Sequence, residues 1–270
     1  MTLYDLPRDV LFKALRGRGM EAAHAASQAR VALDELLAIG RATARVDLEE
    51  KLAPVLGLDA AALAGLRDYR PQFPPCTGLE RIELPFGDDF VNVWALGRDG
   101  SWLVVDAGFG PLDLAAALDA RGIGRIHLLV THGHRDHVGG IAAVRRRLES
   151  FHAPGAIEGA IAAAPGQTLR LGPFTVGVRD LRGHHPQAVG YHVDGLARPV
   201  LAVGDAVFAG SMGGCPNPRA YREALRTVRE SVLPLAPETL LLTGHGPGTT
   251  LEQELQHNPF LAGGATGPAP

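Results

Sequence analysis

Three histidines and an aspartate fall within six residues in THGHRDHVGG, Thr131 to Gly140. The preceding run, Ile126 to Val130, reads as a buried strand, so these side chains are presented at a strand end. In a tight loop His132 and His134 can turn their imidazoles to one side, while Asp136 and His137 face a second point close by. One motif can therefore nucleate two metal sites. Neutral imidazole and carboxylate suit zinc, iron or manganese, and the same groups left unpaired in an interior would be costly to desolvate. The competing reading is a solvated His-rich loop. An isolated HxH would carry little weight, whereas HxHxDH between a strand and the Gly139-Gly140 start of a helix is a specific pattern.

Three further segments carry metal-ligating residues at the ends of apolar runs: Leu181-Arg182-Gly183-His184-His185-Pro186, Val200 to Asp205, and Leu240 to Pro247 with His245. Glycine beside each candidate ligand lets the backbone turn tightly there. Several strands ending in ligands at one sheet edge are hard to explain as core packing. Asp106, at the end of Trp102 to Val105, could orient a metal-binding histidine or simply cap its turn. His24 and His152 stand alone and read as packing or surface residues. Cys215 has no basic neighbour before Arg219 and reads as passive.

The elements that must position these residues alternate. Ile82, Leu84 and Phe86, then Val91 to Leu96, then Trp102 to Val105 read as strands, with Arg98-Asp99-Gly100 as a turn. Leu112 to Arg121 and Ile141 to Leu148 have helical periodicity, with Arg145 to Arg147 on a solvated face. Leu169 to Leu171 and Phe174 to Val178 resume the strands. Phe86, Phe90, Trp94 and Phe109 could supply apolar walls near the site, with core packing expected for most of them.

Residues 1–75 differ in texture and are expected to be a helical extension and linker, with the catalytic domain over 76–270. Val10, Leu11, Ala14 and Leu15 mark one helix. Met20 to Ile39 reads as a single longer helix with Ala25, Ala29, Ala32, Leu33, Leu36 and Leu37 as its apolar stripe and Gly40 as its stop. Shorter helices follow at Leu48 to Leu56 and Ala60 to Tyr69, before Pro71, Pro74 and Pro75. Acidic and basic residues balance at ten each over 1–70, so the electrostatic footprint of a DNA binder is missing. These Ala/Leu-rich helices are suited to packing on the catalytic domain or to a homodimer contact.

A chain of 270 residues is long enough for a large α/β core with an appendage. A net charge of -3 asks for neither nucleic acid nor an anionic membrane. Two cysteines make no disulfide framework. The start MTLYDLPRDV lacks the pattern of a signal peptide, and no run is as long as a membrane span. A cytoplasmic location is expected.

These residues resemble the metallo-β-lactamase superfamily over about Leu79 to Leu261. THGHRDH matches its HxHxDH motif, RGHHP its third-histidine loop, VGDAVF its GD motif and TGHGP its last histidine motif. The resemblance implies an α/β fold, a four-layer αββα sandwich, here with an N-terminal all-helical extension. It also implies that His132, His134 and His184 hold one metal, that Asp136, His137 and His245 hold the other, and that Asp205 bridges. His184 is preferred to His185 because it is the histidine that matches the family's loop. Two divalent ions are implied, zinc first, with iron or manganese as alternatives.

Within the superfamily, a bridging aspartate argues against antibiotic hydrolysis, and His134 argues against the diiron flavoprotein branch. GHGPGTT followed by HNPFL looks like the glyoxalase II-like hydrolases. Their C-terminal glutathione-gripping domain has no counterpart before Pro270. The implied activity is hydrolysis of a thioester, ester or lactone by a metal-bridging hydroxide, with Asp136 and Asp205 as catalytic groups acting on a small acyl substrate. Two alternatives remain: a mononuclear iron persulfide dioxygenase of the same superfamily, and a metal-stabilised partner-binding protein.

Overall fold

The computed structural model describes residues 2–39 and 45–264. Two six-stranded mixed sheets form its centre. The first has the order β1 (Leu79–Phe86), β2 (Asp89–Arg98), β3 (Ser101–Val105), β4 (Ile126–Leu129), β5 (Leu148–Ala153) and β6 (Ile161–Ala162). Its first three strands pair antiparallel and the rest parallel. The hairpin β2–β3 turns on Asp99 and Gly100, both with positive φ, the twist-compatible two-residue turn that a DG pair favours.

The second sheet runs β12 (Thr249–Thr250), β11 (Leu240–Thr243), β10 (Val200–Gly204), β9 (Val189–Asp194), β8 (Phe174–Asp180) and β7 (Thr168–Leu171). Only β10 and β11 pair in parallel. Strand alternation explains the layering. Leu103, Val105 and Leu129 point inward against Val176, Tyr191, Ala202 and Leu242 of the second sheet. Val104 and Leu128, one residue away, point outward onto α6 (Asp113–Asp119) and α8 (Ile141–Val144) through Leu114, Leu118 and Val144. The result is the four-layer αββα sandwich implied by the sequence.

On the outer face of the second sheet, Leu201, Val203 and Leu241 share one core with α9 (Pro218–Ser231), α10 (Leu251–His257) and the N-terminal helices. Those helices are α1 (Pro7–Arg18), α2 (Ala22–Ala29), α3 (Leu33–Leu37), α4 (Val46–Val55) and α5 (Ala60–Gly65). Val10, Leu11, Ala14 and Leu15 form the buried face of α1. A buried carboxylate ties the layers together. Glu254 accepts hydrogen bonds from Tyr69, Thr249, Asn258 and the Gly210 backbone N–H, and burial pushes its carboxyl up despite them. Among the described residues, no helix is long and apolar enough to cross a membrane.

Several expectations need correction. The helix read over Met20 to Ile39 is two helices, broken at Arg30, which adopts the left-handed conformation. The apolar stripe does not hold as one face: Leu33 is 40% and Leu37 55% exposed, while the break lets Leu36 and Ile39 reach the core. The expected stop at Gly40 lies outside the described residues. The helix read over Ile141 to Leu148 gives way after one turn to a 3-10 turn at Arg145–Arg147 and then to β5. His152, on that strand, is buried, which decides for packing over surface. Helix α9 went unread although Asn217 and Pro218 mark its start, Asn217 accepting from the Ala220 N–H at 2.9 Å.

Candidate metal centre

Six of the seven candidate ligands stand just beyond a strand or at the start of a helix. His132 and His134 follow β4, Asp136 and His137 lie in the single turn α7 (Arg135–Val138), Asp205 follows β10 and His245 follows β11. His184 is carried by the loop between β8 and β9. That loop lies directly on α9 at Gly183. Here φ is +147°, and a Cβ would fall 2.3 Å from the Ala224 side chain and 2.4 Å from its Cα. Gly244 is equally constrained: its Cβ would sit 2.1 Å from Asp205 Oδ1 and 2.9 Å from His137 Cε1.

All seven residues expected from the sequence are brought together. Ligand atoms of His132, His134 and His184 form one group within 4.8 Å, those of Asp136, His137 and His245 a second, and His132, His137 and Asp205 a third. The Asp205 carboxylate approaches both sides, 3.3 Å from His137 Nε2, 3.4 Å from His184 Nε2 and 3.7 Å from His245 Nε2.

The outer hydrogen bonds fix which ring nitrogen faces the centre. His184 Nδ1–H donates to the Gly214 carbonyl and His245 Nδ1–H to the Phe90 carbonyl, each at 2.8 Å, and His137 Nδ1–H donates to Asp106 at 2.8 Å. Thr131 Oγ1 spends its proton on Asp106, so His132 Nδ1–H donates to that hydroxyl at 3.1 Å. Four histidines thereby present Nε2 inward, the arrangement in which partners outside the centre orient ligands. Asp106 thus orients His137 and also accepts from the Thr131 N–H at 2.7 Å, with its own φ at +65°.

The inward atoms are a poor match for one another and a good match for cations. His132 Nε2 and His184 Nε2 lie 3.1 and 3.0 Å from His134 Nδ1, so three ring nitrogens with at most one proton between them converge. His137 Nε2 and Asp205 Oδ1 are buried without any hydrogen-bond partner, a costly state that ligation relieves. Burial pushes the His132 imidazole well below its ordinary value and lowers that of His184, keeping both neutral and able to ligate. Burial opposes charge on His137 too, but Asp106 and Asp205 outweigh it and raise that imidazole well above its usual range. For Asp205 burial is outweighed chiefly by His137, and the carboxyl is held well below its ordinary value. The donor set fits divalent zinc, iron or manganese.

Around the centre, Tyr4 stacks on His245 with ring centroids 4.6 Å apart, and Phe208 and Phe86 lie at 5.8 and 5.5 Å from that imidazole. Tyr4 escaped the sequence reading, and no spacing signal could have revealed it, because the contact spans most of the chain. Phe86 and Phe109 pack together beside the centre, whereas Trp94 belongs to the core and donates to the Thr243 carbonyl. His185 flanks His134 at 5.1 Å. Cys215 is free and buried, and burial pushes its thiol up to about 12. Cys76 is also free and buried, so both cysteines should resist a thiol-reactive disulfide at pH 8 until the protein is unfolded, monitored by released chromophore; prompt reaction of the folded protein would contradict this burial.

Comparison with known proteins agrees with this geometry. The family model described as Metallo-beta-lactamase superfamily matches residues 86–150. The chain is 31% identical to a hydroxyacylglutathione hydrolase of Acidiphilium cryptum over 59% of this chain and 69% of that one. It is 28% identical to the probable metallo-hydrolase YqgX of Bacillus subtilis over 67% of this chain and 96% of the relative. The crystal structure of TTHA1623 in a di-iron-bound form superposes with a TM-score of 0.52 at 28% identity, over 67% of this chain and all of that one. Strand-end histidines, an αββα frame and these relatives converge: the chain belongs to the metallo-β-lactamase superfamily and is one of its metallo-hydrolases.

Proposed function

We propose that the chain is a dinuclear hydrolase of a thioester, ester or lactone, with His132, His134 and His184 holding one ion, Asp136, His137 and His245 the other, and Asp205 shared. The observation that carries this reading is the position of the Asp205 carboxylate, within 3.7 Å of Nε2 of His137, His184 and His245. Two divalent cations bound there would supply a water ionised near neutral pH and polarise the scissile carbonyl.

The chain's own groups do the rest. Asp205, held ionised by its histidine neighbours, is a fixed negative charge at the middle of the centre. Asp136, whose Oδ2 lies 3.1 Å from His245 Nε2, is the second carboxylate at the centre and would take a proton from the attacking water and pass it toward the leaving group. Asp106 and the Phe90 and Gly214 carbonyls keep three imidazoles from rotating. Tyr4, Phe86 and Phe208 exclude bulk water beside His245. Hydroxyacylglutathione hydrolases among the relatives favour a thioester.

The test is hydrolysis of a thioester and lactone panel, including S-lactoylglutathione, by protein as isolated, after chelation, and after zinc, iron or manganese is restored. Turnover that disappears on chelation and returns with metal is the expected result. Absence of hydrolysis together with oxygen uptake on persulfide addition would overturn it in favour of the dioxygenase.

A further inference from the structure

A cavity of about 300 Å³ is lined by His184, Asp205 and Phe208, by Asp89, and by Tyr4, Asp5 and Lys13 from the N-terminal segment. Among the described residues, Lys13 is the only lysine or arginine lining it. The Lys13 ammonium is paired with Asp5 and donates to the Met212 carbonyl at 2.8 Å, in the loop that follows Asp205. It lies over the Phe208 ring, 4.9 Å from the centroid. Two of its three N–H groups are thus engaged, and its side chain is 20% exposed while that of Asp5 is 5% exposed. A clip made only to dock α1 would gain little from an ion pair, because desolvation offsets most of the attraction and apolar residues of similar size often serve better. An ammonium at the wall of a reaction cavity instead biases what enters it.

We propose that Lys13 is a specificity-determining residue that binds a carboxylate of the substrate, with Asp5 holding the ammonium in place in the free enzyme. The substrate class is thereby narrowed to acyl compounds bearing a carboxylate near the scissile carbonyl. This rests on the acyl-hydrolase reading above. The two partners have opposite expected effects: losing Lys13 removes the anion's counter-charge, whereas neutralising Asp5 removes its competitor. A purely structural pair would make both substitutions harmful in the same direction.

The test uses metal-loaded wild type, Lys13→Met and Asp5→Asn, each checked for folding by circular dichroism. The substrates are the acetyl thioesters of 3-mercaptopropionate, 2-mercaptoethanol and thiocholine, together with the monosuccinyl thioester of 2-mercaptoethanol. Wild type should favour the better carboxylate-bearing thioester over the neutral one by at least about tenfold in kcat/KM, a size typical of a single charge-assisted contact. That ratio should collapse in Lys13→Met and rise in Asp5→Asn. Calorimetric titration of glutarate into metal-free protein should follow the same order. An unchanged ratio, a wild-type preference for the thiocholine ester, or parallel losses in both variants would overturn the assignment. If Lys13→Met fails to fold, Asp5→Asn decides by the sign of its effect. If no thioester is cleaved, the hydrolase reading fails while glutarate binding still decides the role of Lys13.

Discussion

Asp205→Ala is expected to lower kcat/KM by at least about 10³, roughly 4 kcal/mol of transition-state stabilisation. Among the described residues, its carboxylate alone approaches Nε2 of histidines from both candidate groups, His184 on one side and His137 and His245 on the other. Without it the two halves share no ligand. Metal content should fall alongside activity. Asp205→Asn keeps the shape without the charge and should lie between alanine and wild type. Retention of full activity by Asp205→Ala would contradict the shared-ligand assignment. Steady-state kinetics with elemental analysis of the same samples reads both effects.

Asp106→Ala is expected to be nearly as damaging, although Asp106 reaches no candidate metal position itself. Its buried carboxylate accepts from the Thr131 N–H and hydroxyl and from His137 Nδ1. Removing it leaves those donors unpaired in the interior, a loss on the order of 3–5 kcal/mol in folding stability. It also frees the His137 ring, and loss of such an outer partner typically costs about 10–100-fold in metal affinity. A chelator-competition titration should therefore show weaker binding in the variant, and thermal melting a lower midpoint. Unchanged metal affinity in a folded Asp106→Ala protein would show that the carboxylate only caps its turn.

What was legible in the sequence follows from how locally each feature is encoded. The ligand loop after β4, the Gly183-His184 loop, Asp205 and His245 each sit beside a glycine at the end of an apolar run, and a short window holds both signals. Strand alternation from Ile82 to Val105 was readable for the same reason. Alanine and leucine spacing continues across Arg30 and hides the break there, because an arginine rather than a glycine takes the left-handed conformation. The second wall of the cavity was illegible. Tyr4 and Lys13 reach His245 and Met212 across nearly the whole chain, and no pattern within helix α1 distinguishes a side chain facing the reaction cavity from one facing solvent. Asp106 was ambiguous in the sequence because orienting a histidine and capping a turn need the same residue type at the same place, and here one carboxylate does both.

The shared core of the N-terminal helices and the second sheet gives the extension a direct bearing on the centre. Tyr4, just before α1, stacks on His245, and Lys13 of α1 donates to the loop after Asp205. The N-terminal segment therefore lines the cavity at the candidate centre rather than lying apart from it.

The central claim, a centre built for two ions, is tested most directly by elemental analysis of protein purified without added metal, read against protein concentration. The donor set predicts about two zinc, iron or manganese ions per chain. About one iron per chain, with no second ion taken up on titration, would contradict it.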